Sequence, residues 1–318
     1  MSNGADDTPA HDPLGPAYTR TTIPLPDDDE GPVIATLVHR SAEGEHRRGA
    51  VLHVHGFADY FFQTPHADWW TARGWDFYAL DLRKYGRSLL PHQTANYVAD
   101  LTEYYPELDE AWRIVRGRHD RVVLSAHSTG GLTVPLWLDS RNYDPTGLVL
   151  NSPWLDMQGP WWMRTIGTTV VKQVGARRPM RQIPRSVSGL YARSLHRDHE
   201  GEFDFDLAWK PLESWPVHAG WLRAIRNGHA RIHRGLSLRQ PTLVLSSLRS
   251  SSPTAMGEDV HTSDIVLDVT QIRRWAPALG THVTSVAIPD ARHDVWLSRE
   301  EPRATAFREL ERWVQAYQ

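Results

Sequence analysis

The stretch Val122–Gly131, VVLSAHSTGG, sets the frame for the whole chain. Val122-Val123-Leu124 is a short apolar run of the kind that forms a strand buried on both faces of a parallel sheet. Ser128 follows among small residues, with Ala126 two positions before it and Gly130 two after. Leu132–Leu138 then reads as a helix. Strand, tight small-residue turn and helix together describe a nucleophile elbow, in which a strained turn pushes the serine hydroxyl into the open. The small flanks let the strand and the departing helix pass close together. Ala126 stands where G-x-S-x-G has its first glycine, so the turn must accommodate one extra methyl. A Ser-x-Gly alone is weak evidence, since glycine is about 7% of average composition. Its placement between strand and helix carries the argument.

Outward from this point, the chain alternates apolar runs with helical patterns. Val33–His39 and Ala50–His55 read as strands, expected to pair as an edge hairpin. His66–Arg73 reads as a helix, Asp76–Leu80 as a strand, Leu101–Arg116 as a helix and Gly147–Asn151 as a strand. Such alternation predicts an α/β protein with a mostly parallel, doubly wound sheet. It stops at Trp154 and resumes with the strand Thr242–Ser246. The helix Val269–Leu279, the strand Val283–Ile288 and the helix Ala304–Tyr317 follow. The intervening stretch is too long for a plain loop and reads as an inserted cap. The expected organisation is therefore a core of 18–153 and 239–318, with a cap at 154–238. Residues 1–17, rich in Pro, Gly, Asp and Ala, read as a flexible tail. Pro24–Asp29 reads as a turn or exposed loop.

The composition of the 318 residues bounds the partners. With 40% hydrophobic and 23% charged residues and a net charge of -3, the chain resembles an ordinary globular protein, and nothing calls for nucleic acid. It has no cysteine, which excludes disulfides and thiol chemistry and agrees with a reducing, cytoplasmic setting. The start, MSNGADDTPAHDPLGP, lacks the basic and apolar segments of a signal peptide. No run approaches the ~18 apolar residues of a membrane span.

A serine hydroxyl attacks carbonyls poorly until a base takes its proton and a third group fixes that base. In an open α/β sheet such partners lie beyond the carboxyl ends of later strands, acid first and histidine last. The loop after Ser246 offers Asp259, Asp264 and Asp268. Asp268 reads as a helix cap. Asp264 is followed by Ile265-Val266-Leu267, which can pack the loop on the core, and is the expected acid. His293 is the only histidine after the last strand and is the expected base. The oxyanion would rest on the backbone amides of Thr129, directly after the serine, and of Phe57, in the loop after HVHG. His55 reads as support for that loop or as core packing.

The set HVHGF, LDLRKYGRS, AHSTGG, SDIVLDV and RHDVWLS resembles the α/β-hydrolase fold family. The likeness is greatest to the branch of monoglyceride lipases, lysophospholipase-like esterases and serine aminopeptidases, and spans roughly residues 30–318, the cap excepted. It implies the same triad, Ser128, Asp264 and His293. It also implies that Arg83–Ser88 is a structural loop beside the site, with Lys84 where glycine is commoner. The expected activity is hydrolysis of carboxylic esters such as monoacylglycerols or lysophospholipids, with no cofactor or metal.

Other readings are weaker. His229 and His233 have the spacing of a zinc helix, but Ala230 replaces the glutamate of H-E-x-x-H; these two and His196/His199 are expected to be solvated. An aminopeptidase for short peptides would need carboxylates near the pocket, for which Glu202, Asp204, Asp206 and Glu213 are candidates. A non-catalytic binding protein is disfavoured because all three triad positions are filled. The cap arginines and lysine (Arg164, Lys172, Arg177, Arg178, Arg181, Arg185, Arg193, Arg197) would suit peripheral contact with an anionic lipid surface, though a solvated face is the expected reading. The cap tryptophans Trp154, Trp161, Trp162, Trp209, Trp215 and Trp221 suit either an acyl pocket or a small cap core.

Overall fold

The computed structural model describes residues 10–141, 143–158, 174–184 and 188–318. Among them nine strands form one sheet: β1 (Ala10–Asp12), β2 (Gly15–Asp28), β3 (Gly31–Arg40), β4 (Gly49–Val54), β5 (Trp75–Asp81), β6 (Val122–His127), β7 (Gly147–Asn151), β8 (Thr242–Ser247) and β9 (Val283–Ile288). Their spatial order is β1-β2-β3-β5-β4-β6-β7-β8-β9. The first three strands join antiparallel, and β3 meets β5 antiparallel; from β5 onward every pair is parallel. Strands β4, β6, β7 and β8 are buried along their whole length, which is why they are continuous apolar runs rather than alternating ones.

Helices cover both faces. On one side lie α2 (Tyr105–Arg116) and α3 (Gly130–Asp139). Leu108, Ala111, Trp112 and Val115 place the apolar stripe of α2 on the core at helical spacing. On the other side α1 (Thr64–Thr71) and the C-terminal helix (Glu300–Tyr317) enclose an aromatic core of Trp69, Trp70, Trp75, Trp296 and Trp313. Many of the tryptophans thus belong to the sheet's own layers.

Three expectations are corrected. Val33–His39 and Ala50–His55 do not pair: β5 lies between β3 and β4, because β4 crosses through α1 to a parallel partner. Of the expected tail, Ala10–Asp12 form β1 and Gly15–Ala17 start β2, and Asp12 is buried, its carboxylate gripped by Arg87 at 2.6 and 2.8 Å. Pro24–Asp28 is strand, in register with β3 through Pro24↔Ile34. The short β1 reaches only Gly15, Thr19 and Arg20 of β2. Beyond them β2 is an edge, where proline costs no ladder bond.

The segment after β7 contributes α4 (Leu190–Leu195) and α5 (Ala219–Ile232). Tyr60, Phe62 and Leu297 of the core pack with Leu195, Phe203 and Phe205 of this segment. Trp161, Trp162, Arg164, Lys172 and Arg185 lie outside the described residues. Arg177, Arg178 and Arg181 are exposed, whereas Arg193 and Arg197 pair with Glu200 and Asp204. No helix among the described residues is long and apolar enough to cross a membrane.

Candidate active site

Loops at the carboxyl ends of β4, β6, β7, β8 and β9 converge on Ser128. Its φ of 52° is left-handed, a conformation that costs a non-glycine residue about 1–3 kcal/mol and persists only where the surroundings impose it. They do so from both sides: the Ser128 amide donates to the Asn151 carbonyl at 3.0 Å, and its carbonyl accepts the Trp154 amide at 2.9 Å. Close approach explains the small residues. A Cβ on Gly56 would lie 2.9 Å from Ser128 Cβ, and one on Gly130 would lie 2.4 Å from the His55 carbonyl oxygen. Ala126, in register with Val54 and Leu150, is fully buried, so its methyl is absorbed in the core.

His293 Nε2 lies 3.0 Å from Ser128 Oγ, and its Nδ1 lies 2.8 Å from Asp264 Oδ2. A carboxylate only accepts, so Nδ1 carries the proton and Nε2 faces the serine hydroxyl as an acceptor. Asp264 is fully buried; its other oxygen accepts the amides of Val266 at 2.8 Å and Leu267 at 2.7 Å. The residues after Asp264 therefore fold back on it, with Leu267 in the core. Asp259 is exposed and pairs with Arg249, while Asp268 caps the helix Val269–Trp275 through Thr270. Of the three aspartates, only Asp264 meets the histidine.

Phe57 and Thr129 both line the cavity beside Ser128 and His293. His55 holds the loop bearing Phe57: its Nε2 accepts the Leu82 amide at 3.1 Å, so Nδ1 donates to the Gly56 carbonyl at 2.7 Å. The Arg83–Ser88 loop is locked by buried charge. Arg83 pairs with Glu107, Arg87 with Asp12 and Asp81, and Lys84, at φ 64°, with Asp28 and Glu30.

Several contributors carried no sequence signal strong enough to single them out. Asn151, at the end of β7, donates from its side chain to Asp294 Oδ1 at 2.6 Å and accepts the Val295 amide at 3.2 Å. Its carbonyl takes both the Ser128 amide and His127 Nδ1. Burial pulls the His127 pKa down, keeping this ring neutral next to His293. Gln63 bridges Asp294 and Asp59 at 3.3 Å each, and Asp59 pairs with Lys210 at 3.0 Å.

Above Ser128 opens a cavity of about 500 Å³. Phe57, Trp154, Trp221, Leu222, Val217 and Leu267 give it an apolar wall. Trp209 instead packs edge-on against Tyr60, and Trp215 donates to the Trp209 carbonyl. Among the described residues, Asp59 and Lys210 are the charged side chains in the lining, and they neutralise each other. Glu202, Asp204, Asp206 and Glu213 do not line it. The zinc-like histidines are not solvated as expected. His229 Nε2 donates to the Trp154 carbonyl and His233 Nε2 to the Leu155 carbonyl, so together they fasten the segment leaving β7. His196 is also buried, donating to Phe205. Among the described residues no group of histidines and carboxylates is arranged to hold a metal ion.

A parallel sheet whose elbow serine meets a histidine and an aspartate from later loops is the architecture of the α/β-hydrolase fold. Residues 45–250 match the family described as serine aminopeptidase, S33, and the chain belongs to that family. A search of curated proteins returns no match. Among solved structures, a soluble variant of monoglyceride lipase from Saccharomyces cerevisiae, in complex with a substrate analog, superposes with a TM-score of 0.69 at 14% identity, covering 92% of this chain and 94% of that one. The monoacylglycerol lipase of Paleococcus ferrophilus gives 0.64 at 19% identity, with 89% and 99% covered. A thermostable carboxyl esterase from Bacillus coagulans, in complex with glycerol, gives 0.65 at 14%, with 94% and 98% covered.

Proposed function

We propose that the chain is a serine hydrolase of carboxylic esters, acting on small lipid monoesters of the monoacylglycerol type. The observation that carries this reading is the continuous hydrogen-bonded relay Ser128–His293–Asp264 opening into an apolar cavity. Ser128 Oγ attacks the ester carbonyl while His293 Nε2 takes its proton, and Asp264 stabilises the imidazolium that forms. The oxyanion rests on the amides of Phe57 and Thr129. The tetrahedral intermediate collapses as His293 protonates the leaving alcohol, and water then cleaves the acyl-enzyme by the same steps. No metal or cofactor enters this sequence. Residues 154–238 act as the cap that closes the acyl pocket over the serine.

The aminopeptidase reading is weaker on one specific ground. A free α-amino group needs a carboxylate beside the serine, and the one acid lining the cavity among the described residues, Asp59, already holds Lys210. The test is labelling with a fluorophosphonate probe and peptide mapping, beside hydrolysis of a monoacylglycerol series and an aminoacyl-naphthylamide series. Labelling confined to Ser128, with turnover of the glycerides, is the expected result. Turnover of the naphthylamides alone would replace the ester reading by the peptidase one.

A further inference from the structure

Lys210 belongs to the inserted segment, yet it lies inside the cavity, and its surroundings define what it does. Its side chain is nearly enclosed, with the rings of Phe62, Tyr191 and Phe205 around the ammonium at 5.7–6.0 Å. Nζ donates to Asp59 Oδ1 at 3.0 Å and reaches the Ala58 carbonyl at 3.4 Å. These are the two residues that follow Phe57. Ala58 has φ 49°, a strained left-handed conformation for a residue with a Cβ. Its amide is held by Asn96 Oδ1 at 3.1 Å, and the other Asp59 oxygen by Gln63. The turn is therefore clamped by two core residues and one cap residue, and only the cap residue brings a positive charge to a buried carboxylate. Burial alone would raise the Asp59 carboxyl; the Lys210 ammonium beside it holds it down, to about 2.

We propose that Lys210 is a positioning residue for the oxyanion-hole loop: by pairing with Asp59 it holds the Phe57 amide in place, so that the nucleophile site is complete only with the inserted segment seated. The proposal rests on the esterase reading above. A buried carboxylate stripped of its cation must take up a proton or swing toward water, and either change loosens the turn two residues from the oxyanion donor.

The test is a double-mutant cycle on the full chain with Lys210→Met, Asp59→Asn and both together. A short ester, p-nitrophenyl butyrate, is the substrate, and the rate of fluorophosphonate labelling is the second readout. Lys210→Met is expected to lower kcat and the labelling rate about 10- to 100-fold with KM within about threefold. It should also add an acid-side dependence to the pH profile as Asp59, which among the described residues then faces His53, His55, His127, Tyr85, Tyr191 and the Gln63–Asp294 pair, begins to titrate. The double variant, with no charge left to bury, is expected to recover most of the loss. Should Lys210→Met fail to fold, Asp59→Asn carries the same test, with the same kcat loss and the same recovery in the double variant. Single variants within twofold of wild type, or strictly additive losses, would overturn the proposal. A wild type that neither labels nor hydrolyses would overturn the esterase reading with it, which separates the two failures.

Discussion

The side-chain amide of Asn151 donates to Asp294 at 2.6 Å, joining the end of β7 to the residue that follows His293. The same asparagine accepts the Ser128 amide through its carbonyl, so one residue sets Ser128 and His293 against each other. Asp294 is buried, and Asn151 is its charge-assisted donor beside Gln63 and the Trp296 amide. Asn151→Ala is expected to cost about 1.5–3 kcal/mol, the worth of a hydrogen bond to a charged group. Because the His293 loop loses its register to Ser128, kcat should also fall, with KM little changed. Urea unfolding together with steady-state kinetics checks both; a stability loss without a kcat loss would confine Asn151 to the scaffold.

Asp264→Asn should be far more severe in rate than in stability. The amide can still accept the Val266 and Leu267 amides through its oxygen, so the loop survives. The amide would then face His293 with its nitrogen, favouring the tautomer that cannot accept the serine proton. A loss of roughly 10⁴ in kcat follows if the relay works as a triad does. Near-normal rates would remove Asp264 from the mechanism.

Acid should destabilise the fold through its buried histidines. His53 is fully enclosed, and burial, with the neighbouring His127 and His55, draws its pKa from 6.5 to about 3; burial with Arg226 does the same for His229. Between those values the unfolded chain binds a proton that the folded chain refuses, so stability is full above about pH 6.5 and is lost as pH falls toward 3. Each such histidine contributes a slope of up to about 1.4 kcal/mol per pH unit. Urea midpoints measured from pH 7.5 to 4.5 should fall along this slope. His229→Gln should flatten the curve by about one proton; an unchanged slope would mean that His229 already titrates in the folded state.

Where the sequence was legible, burial made it so. The enclosed strands β4, β6, β7 and β8 are apolar runs, and the turns after β6 and β8 placed Ser128 and Asp264; His293 was found because it is the one histidine beyond the last strand, β9, which is itself only partly buried. The N-terminal strands were illegible because they are polar and lie at the sheet edge. What anchors them is a buried ion cluster whose members, Asp12, Asp81 and Arg87, are 75 and 6 positions apart and meet only in three dimensions. Lys210 and Asp59, 151 positions apart, were hidden for the same reason.

That cluster yields its own prediction. The Arg87 side chain is 1% exposed and makes a bidentate pair with Asp12 and a further bond to Asp81 at 2.8 Å. Arg87→Ala strands two buried carboxylates and is expected to cost about 3–5 kcal/mol. Removing residues 1–13 leaves the Asp81 pair intact and should cost less. Urea unfolding of both variants gives the order; the reverse order would show that the strands, not the ions, anchor this edge.

The last expectation concerns which wall receives the acyl chain. Trp221 lies against Phe57 with ring centroids 4.2 Å apart and the planes tilted by 40°, and Val217 and Leu222 line the same cavity. An acyl group whose carbonyl oxygen sits at Phe57 and Thr129 is expected to run along these apolar side chains rather than against the Asp59–Lys210 ion pair that also lines the cavity. Filling the wall with Val217→Trp should therefore penalise long chains and spare short ones. Each excluded methylene is worth about 1–3 kcal/mol in such a pocket, so the octanoate-to-butyrate ratio of kcat/KM should drop at least about tenfold while butyrate hydrolysis holds within about threefold. An unchanged ratio would send the chain toward Ile265 and Val266 instead, and the same substitution at Val266 would then be the one that shortens it.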